Sequence, residues 1–411
     1  MSRSKTFLAV LLYVGLVVLS LEAASYFVVV VLRGHALGDL AERHVYSPIR
    51  GHKLNPRYRR DPDADGAEMH SSQGFRRNSL VTKLKPENVF RIIALGGSTL
   101  YGAGTQRTSP YPAVDALRNE ETITYFLEKK LNRAFELEGI PMTVEVINAG
   151  VVAYQTFQHV LYFYESLYEY DPDMLIFLDG HNDYYRVGVD NPIAEYSYSS
   201  YRMIPVLNER TPFVSIYLFA RYLGQYSYFM KMVEKASENL YETYEAKSYS
   251  TEGDYAAIER NFGREFEAWA RVGFLRNYKL IEAFGEYHQF SFHVFLQPEV
   301  VFEDEELLGA HDRAVQRTTA ELYGGAKVET MERAVVELPR LFARFGIPFS
   351  EISTIAEKGG NGHALYVDYV HLTPRGSQIV ADAMYSVLLP KIREQINYSA
   401  VAKAEGTGDF D

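Results

Sequence analysis

A serine hydroxyl becomes a nucleophile when a neighbouring base takes its proton and the backbone presents it clear of its own turn. The run Gly96-Gly-Ser-Thr-Leu-Tyr-Gly102 offers such a presentation. It follows the apolar stretch Phe90–Leu95, and its glycines permit a sharp strand-to-helix turn that leaves Ser98 exposed. Gly97 and Gly102 are also spaced as in a phosphate-binding loop, but Ala103 stands where that motif needs lysine. A plain glycine-rich turn fits the same residues, so this block alone does not assign a role to Ser98.

Two further blocks end apolar runs, Asn148-Ala-Gly-Val-Val-Ala-Tyr-Gln-Thr156 and Asp179-Gly-His-Asn-Asp183. Acyl transfer needs hydrogen-bond donors aimed where charge develops on the carbonyl oxygen. The Asn182 amide and backbone N–H groups between Gly150 and Ala153 are suitable donors, although Asn182 would equally serve as a turn residue capping the next helix. Near the C-terminus, Val367-Asp-Tyr-Val-His-Leu-Thr-Pro-Arg-Gly376 places Asp368 and His371 three residues apart in a loop. There a carboxylate can hold one imidazole nitrogen while the other accepts a proton. The spacing is common in itself; its position, before the last helix and at the sheet edge that carries Ser98, is what makes it informative.

Together, Gly-Gly-Ser98-Thr, Asn148 with Gly150, Gly180-His-Asn182-Asp and Asp368-Tyr-Val-His371-Leu resemble, in order and separation, the blocks of the SGNH/GDSL hydrolase superfamily over about residues 89–396. The resemblance implies Ser98 as nucleophile and Asp368/His371 as its base. It also implies an oxyanion hole made by Asn182 and the backbone N–H groups of Ser98 and Ala153, with Gly97, Gly150 and Gly180 in support. No metal or cofactor is implied. Two positions depart from the pattern: the family commonly has glycine at Ala153, and an aspartate is frequent where this chain has Gly97.

Apolar runs alternating with helical stretches predict βαβ units and a parallel sheet covered on both faces. The expected strands are Phe90–Leu95, Thr143–Ile147, Met174–Leu178, Ser291–Leu296 and a weaker one near Pro348–Ile352. The expected helices are Glu121–Glu138, Gln155–Tyr170, much of Val214–Tyr244, Ile258–Tyr287, Thr330–Phe345 and Pro374–Ile396, the last capped by Thr373. This predicts an α/β fold, a flavodoxin-like three-layer αβα sandwich on a five-stranded parallel sheet. The stretch 187–257 is too long for an ordinary crossover and reads as a helical insertion, a lid or substrate wall. Residues 35–88 read as a polar lead-in, 89–398 as the catalytic domain and 399–411 as a disordered tail. Within the lead-in, Asp61, Asp63, Asp65 and Gly66 imitate a calcium loop, but Ser72 replaces the closing glutamate and Pro62 stiffens the turn. No metal is expected.

Residues 1–34 read as a short cytoplasmic tail and a transmembrane signal anchor. The apolar run Phe7–Leu32 spans about 39 Å as a helix and continues past the small residues Ala23-Ala-Ser25 that would suit a signal-peptide cleavage site. Glu22 is costly inside that run if it faces lipid, so it should lie near an interface, be protonated or meet a partner helix. The chain is 411 residues long with no cysteine, which excludes disulfides and thiol nucleophiles, and its net charge of −11 argues against nucleic acid as a partner. Thirty-two tyrosines against a single tryptophan suit either amphipathic helix surfaces or stacking on sugar rings. The expectation is an anchored, extracytoplasmic (periplasmic or extracellular) serine esterase whose partners are the bilayer and an O-acylated glycan, with O-acetyl the expected group, alongside envelope polysaccharide machinery. O-Acyltransfer, lipid ester or thioester hydrolysis, and a silent glycan-binding role remain alternatives.

Overall fold

The computed structural model describes residues 3–32, 43–58 except 48, 69–105 except 78, 110–184, 217–237 except 218, 221 and 225, 270–359 and 362–404. These fall into two compact units, one holding the described residues up to 58 together with 217–237, the other holding the rest.

The larger unit is built on β3 (Val89–Gly96), β4 (Thr143–Asn148), β5 (Met174–Asp179), β6 (Ser291–Leu296) and β7 (Phe349–Glu351). The strands lie in the order β4-β3-β5-β6-β7 and every pairing is parallel. This is the flavodoxin-like order, and the direction of strand succession reverses between β3 and β5. All of β5, and all of β3 except its first residue, is buried, because strands covered on both faces become continuous apolar runs.

One helical layer contains α4 (Thr156–Glu165) and the helices Arg276–His288 and Gly325–Arg344. Phe163 meets Phe284 and Phe290, and Phe342 meets Phe274 and Tyr278. The other layer pairs α3 (Ile123–Glu138) with the final helix Pro374–Ala404, joined by Lys130–Asp382 and Arg393–Glu138. Thr373 caps that final helix by accepting the Gly376 N–H at 3.1 Å.

Several boundaries differ from the sequence expectation. The final helix continues to Ala404, so the boundary at 399 falls inside it. The lead-in is not featureless: β1 (His44–Ser47) and β2 (Gly51–Leu54) form an antiparallel hairpin. A helix at Ala310–Tyr323 was not anticipated; its buried residues, Asp312, Val315 and Thr319, include only one apolar side chain, so periodicity is nearly silent. The calcium-like stretch 61–66 lies outside the described residues, as does most of 187–257.

The smaller unit begins with α1 (Arg3–Tyr26), which continues as π-helical turns over Phe27–Leu32. Its apolar part, Ala9–Leu32, is long enough to cross a bilayer. The described part of the insertion, 217–237, belongs to this same unit.

Candidate active site

Strand β3 ends at Gly96 and the chain turns at once into the short helix α2 (Ser98–Tyr101). A Cβ on Gly96 would lie 2.8 Å from both Leu100 Cβ and the Leu178 carbonyl oxygen, so only glycine fits between the strand and its neighbours. Gly102, at φ 84°, ends the helix by donating to the Ser98 and Thr99 carbonyls. Ser98 is the half-buried exception in this block; Gly97, Thr99, Leu100 and Tyr101 are all buried.

After β4, Asn148 draws the second block against α2. Its amide donates to the Leu100 carbonyl at 2.9 Å and its oxygen accepts the Gly150 N–H at 3.0 Å. A Cβ at Gly150 would stand 2.8 Å from the Tyr101 nitrogen. The turn then closes through Tyr154 N–H to the Val151 carbonyl, with Ala153 at φ 64°. That backbone region favours glycine, which gives a physical reason for the family's preference at this position.

After β5 comes Gly180 at φ 143°, where a Cβ would meet the Tyr184 ring at 2.8 Å. Asn182 Nδ2 donates to the Tyr154 carbonyl at 2.9 Å, and the Asn182 carbonyl accepts from Gln155 Nε2 at 3.0 Å. A Cβ on Gly97 would fall 2.5 Å from Asn182 Nδ2, so the second departure from the family pattern has a cause as well: the amide occupies the space an aspartate there would need. Ser98, Ala153 and Asn182 are thereby carried by three turns in mutual contact at the carboxyl ends of β3, β4 and β5, where the sheet order reverses and ligands bind in open α/β folds.

Asp368 and His371 face each other, each 1% exposed. His371 Nδ1 lies 2.7 Å from Asp368 Oδ2, while Asp368 Oδ1 accepts the backbone N–H groups of His371 (2.9 Å) and Val370 (3.1 Å). Burial by itself would raise the Asp368 carboxyl; the His371 charge and these hydrogen bonds outweigh it and hold the group below its usual value. With Nδ1–H directed at the carboxylate, Nε2 is the nitrogen left able to accept a proton, and it is buried with no hydrogen-bond partner among the described residues. Thr99 Oγ1 donates to the Val370 carbonyl at 3.2 Å, tying the residue after Ser98 to the residue before His371.

Buried carboxylates outside the four blocks hold these loops, and nothing in sequence spacing marks them. Glu299, fully buried, sits 3.0 Å from His181 Nδ1 and accepts from the Tyr184 hydroxyl, while the next residue, Val300, donates its N–H to the Tyr369 carbonyl. Glu303 accepts the Ile355 and Ala356 N–H groups and the Tyr366 hydroxyl; Asp312 accepts the Leu365 and Tyr366 N–H groups. Inside the third block, Asp183 likewise accepts the Thr156 hydroxyl and N–H at the start of α4, and burial, then the Asp179 charge, pushes its carboxyl well above its usual value. The half-exposed Tyr369 ring lies 5.1 Å from His181, 5.8 Å from Tyr323 and 5.9 Å from His371 (ring centres), an aromatic wall beside the imidazole.

Sheet order and the placement of the four blocks make the chain similar in fold and motif arrangement to the SGNH/GDSL hydrolases. No family model matches the sequence, and no curated protein matches it. Among solved structures, it is similar to the acetyl xylan esterase AlAXEase at 12% identity, over 72% of this chain and 98% of that one, with a TM-score of 0.35. A lipase/acylhydrolase from Enterococcus faecalis matches at 12% identity over 73% and 96% of the two chains, TM-score 0.34. An Axe2 mutant, an acetyl-xylooligosaccharide esterase from Geobacillus stearmophilus, matches at 13% identity over 72% and 91%, TM-score 0.33.

Proposed function

We propose that the protein is a serine esterase that hydrolyses an O-acyl ester, an O-acetyl ester of an envelope or exported glycan, through an acyl-enzyme on Ser98. The observation that carries this reading is the Asp368–His371 pair, whose buried Nε2 has no partner among the described residues and lies on a loop hydrogen-bonded to the Ser98 helix. In the proposed first step His371 Nε2 takes the Ser98 hydroxyl proton while Oγ bonds to the ester carbonyl carbon. Asn182 Nδ2 and the backbone N–H groups of Ser98 and Ala153 stabilise the oxyanion. Collapse breaks the bond to the alkoxy oxygen, which leaves with the proton from His371, and water repeats the sequence to release the acid. Tyr369 supplies a face for the alcohol portion, which suits a sugar ring. The helix α1 anchors the chain in a bilayer with the larger unit outside the cytoplasm.

The test is release of nitrophenol from p-nitrophenyl acetate by the detergent-solubilised full chain and by Ser98→Ala, together with labelling by a fluorophosphonate probe. Activity and labelling that both vanish in Ser98→Ala are the expected result. Equal signals from the two proteins would overturn the assignment of Ser98.

A further inference from the structure

Glu22 lies in the middle of an apolar helix, and a carboxylate facing lipid there is costly. Its oxygens are instead fully engaged within the smaller unit. Oε1 accepts the Tyr228 N–H at 2.8 Å; Oε2 accepts the Ser227 hydroxyl at 2.7 Å and the Phe229 N–H at 3.1 Å. Ser227 Oγ in turn accepts the Met230 N–H at 3.1 Å. The first N–H groups of the helix 228–237, which lack partners inside it, are therefore satisfied by Ser227 and by a glutamate far away in sequence, whose charge suits that helix end.

The surface of α1 changes character at Glu22. From Val10 to Leu21 its large apolar side chains are exposed on every side. Beyond Glu22 the change is confined to one face: Ser25 and Val29 are buried at 5% and 6% exposure, while Phe27, Val31 and Leu32 stay exposed. The part bare on every side, Ala9–Leu21, is about 20 Å long, roughly two thirds of the ~30 Å hydrocarbon core. At the Glu22 level the exposed side chains are those of a lipid–water boundary: Tyr26, packed on Tyr228, and Tyr226, with the Arg57 guanidinium 5.1 Å from its ring centre. Phe219, Tyr222 and Met232 are also exposed along 217–237.

We infer that 217–237 is a second bilayer-contacting element, held at the phospholipid headgroup boundary by Glu22, so that this part of the insertion belongs to the membrane anchor. The inference rests on the reading of α1 as that anchor, and lipid is the occupant favoured because a segment with exposed Phe219, Tyr222, Tyr226 and Met232 is fastened through Ser227–Phe229 to the end of the fully bare part of α1 within one compact unit.

The experiment uses the full chain in vesicles of phosphatidylcholine and phosphatidylglycerol, with the single tryptophan removed by Trp269→Phe and one reporter introduced at a time. Leu12→Trp reports the anchor, Tyr226→Trp the proposed contact, and Tyr164→Trp an exposed site on the larger unit. Expected is loss of Leu12→Trp emission with lipids brominated deep in the acyl chains and of Tyr226→Trp emission with lipids brominated near the headgroup, with Tyr164→Trp unaffected. Adding Glu22→Ala should abolish the Tyr226→Trp loss and leave the Leu12→Trp loss intact. If Leu12→Trp is quenched and Tyr226→Trp is not, the anchor stands and this inference falls. If Leu12→Trp is not quenched, both fall; quenching of Tyr226→Trp that survives Glu22→Ala overturns the role given to Glu22.

Discussion

At the scale of single residues, chemistry is concentrated in one hydrogen bond and one turn. Asp368 selects the imidazole tautomer that leaves Nε2 able to accept a proton, so Asp368→Asn should keep the loop and lose the tautomer. A fall in kcat of roughly 10³–10⁴-fold is expected in ester hydrolysis. Because the folded-state pKa of Asp368 is lowered, its contribution to stability is present above the usual aspartate range and lost as pH falls through and below it. The variant's thermal midpoint should accordingly fall less than the parent's on acidification. Ala153 holds a left-handed backbone that costs an alanine about 1 kcal/mol. Ala153→Gly should relieve part of this and raise the melting temperature by about 2 °C with activity retained, measured by calorimetry and the nitrophenyl assay.

At the scale of elements, the site is a set of turns held together by buried carboxylates. Glu299 joins the β5–α5 turn (α5, His181–Tyr184), which carries Asn182, to the segment whose Val300 N–H holds the Tyr369 carbonyl. Glu299→Ala leaves the His181 and Tyr184 polar atoms buried without that partner, at a cost of about 2–3 kcal/mol. Loosening the Asn182 turn should also lower kcat by about tenfold with KM little changed. Denaturant unfolding and steady-state kinetics read the two effects separately. None of this was legible in the sequence. Glu299, Glu303 and Asp312 lie far in sequence from the groups they satisfy, and an acidic residue carries no local mark of burial.

For the molecule as a whole, buried titratable groups shape the pH dependence of stability. His293, on β6 with its Nε2 3.0 Å from Ser350 Oγ, is lowered to about 4 by burial, then by the charge of Lys391. A histidine depressed in the folded state contributes stability above its unfolded value near 6.5 that is lost as pH falls toward about 4. The loss is at most about 3 kcal/mol. Glu128, Glu303 and Asp312 act in the opposite sense, since burial raises each of them. The difference between the parent and His293→Gln isolates the histidine. Thermal midpoints recorded between pH 6.5 and 4 should fall more steeply in the parent than in the variant.

The strands of the parallel sheet were legible, because a sheet covered on both faces demands apolar runs, and all five expected strands lie within about two residues of those observed; the β1–β2 hairpin, with no such run, was not. The candidate residues were legible for a related reason: Ser98, Asn182, Asp368 and His371 sit in short glycine-rich or capped turns whose local chemistry is written in adjacent positions. Tertiary structure decided what adjacency cannot encode. The Gly97 departure makes sense only beside the Asn182 amide, and the Ala153 departure only with its backbone angle. Glu22, an anomaly in an apolar run, finds its partners about two hundred residues further along the chain. Contacts made across such separations depend on where the folded backbone returns, and no local pattern of residue types carries that information.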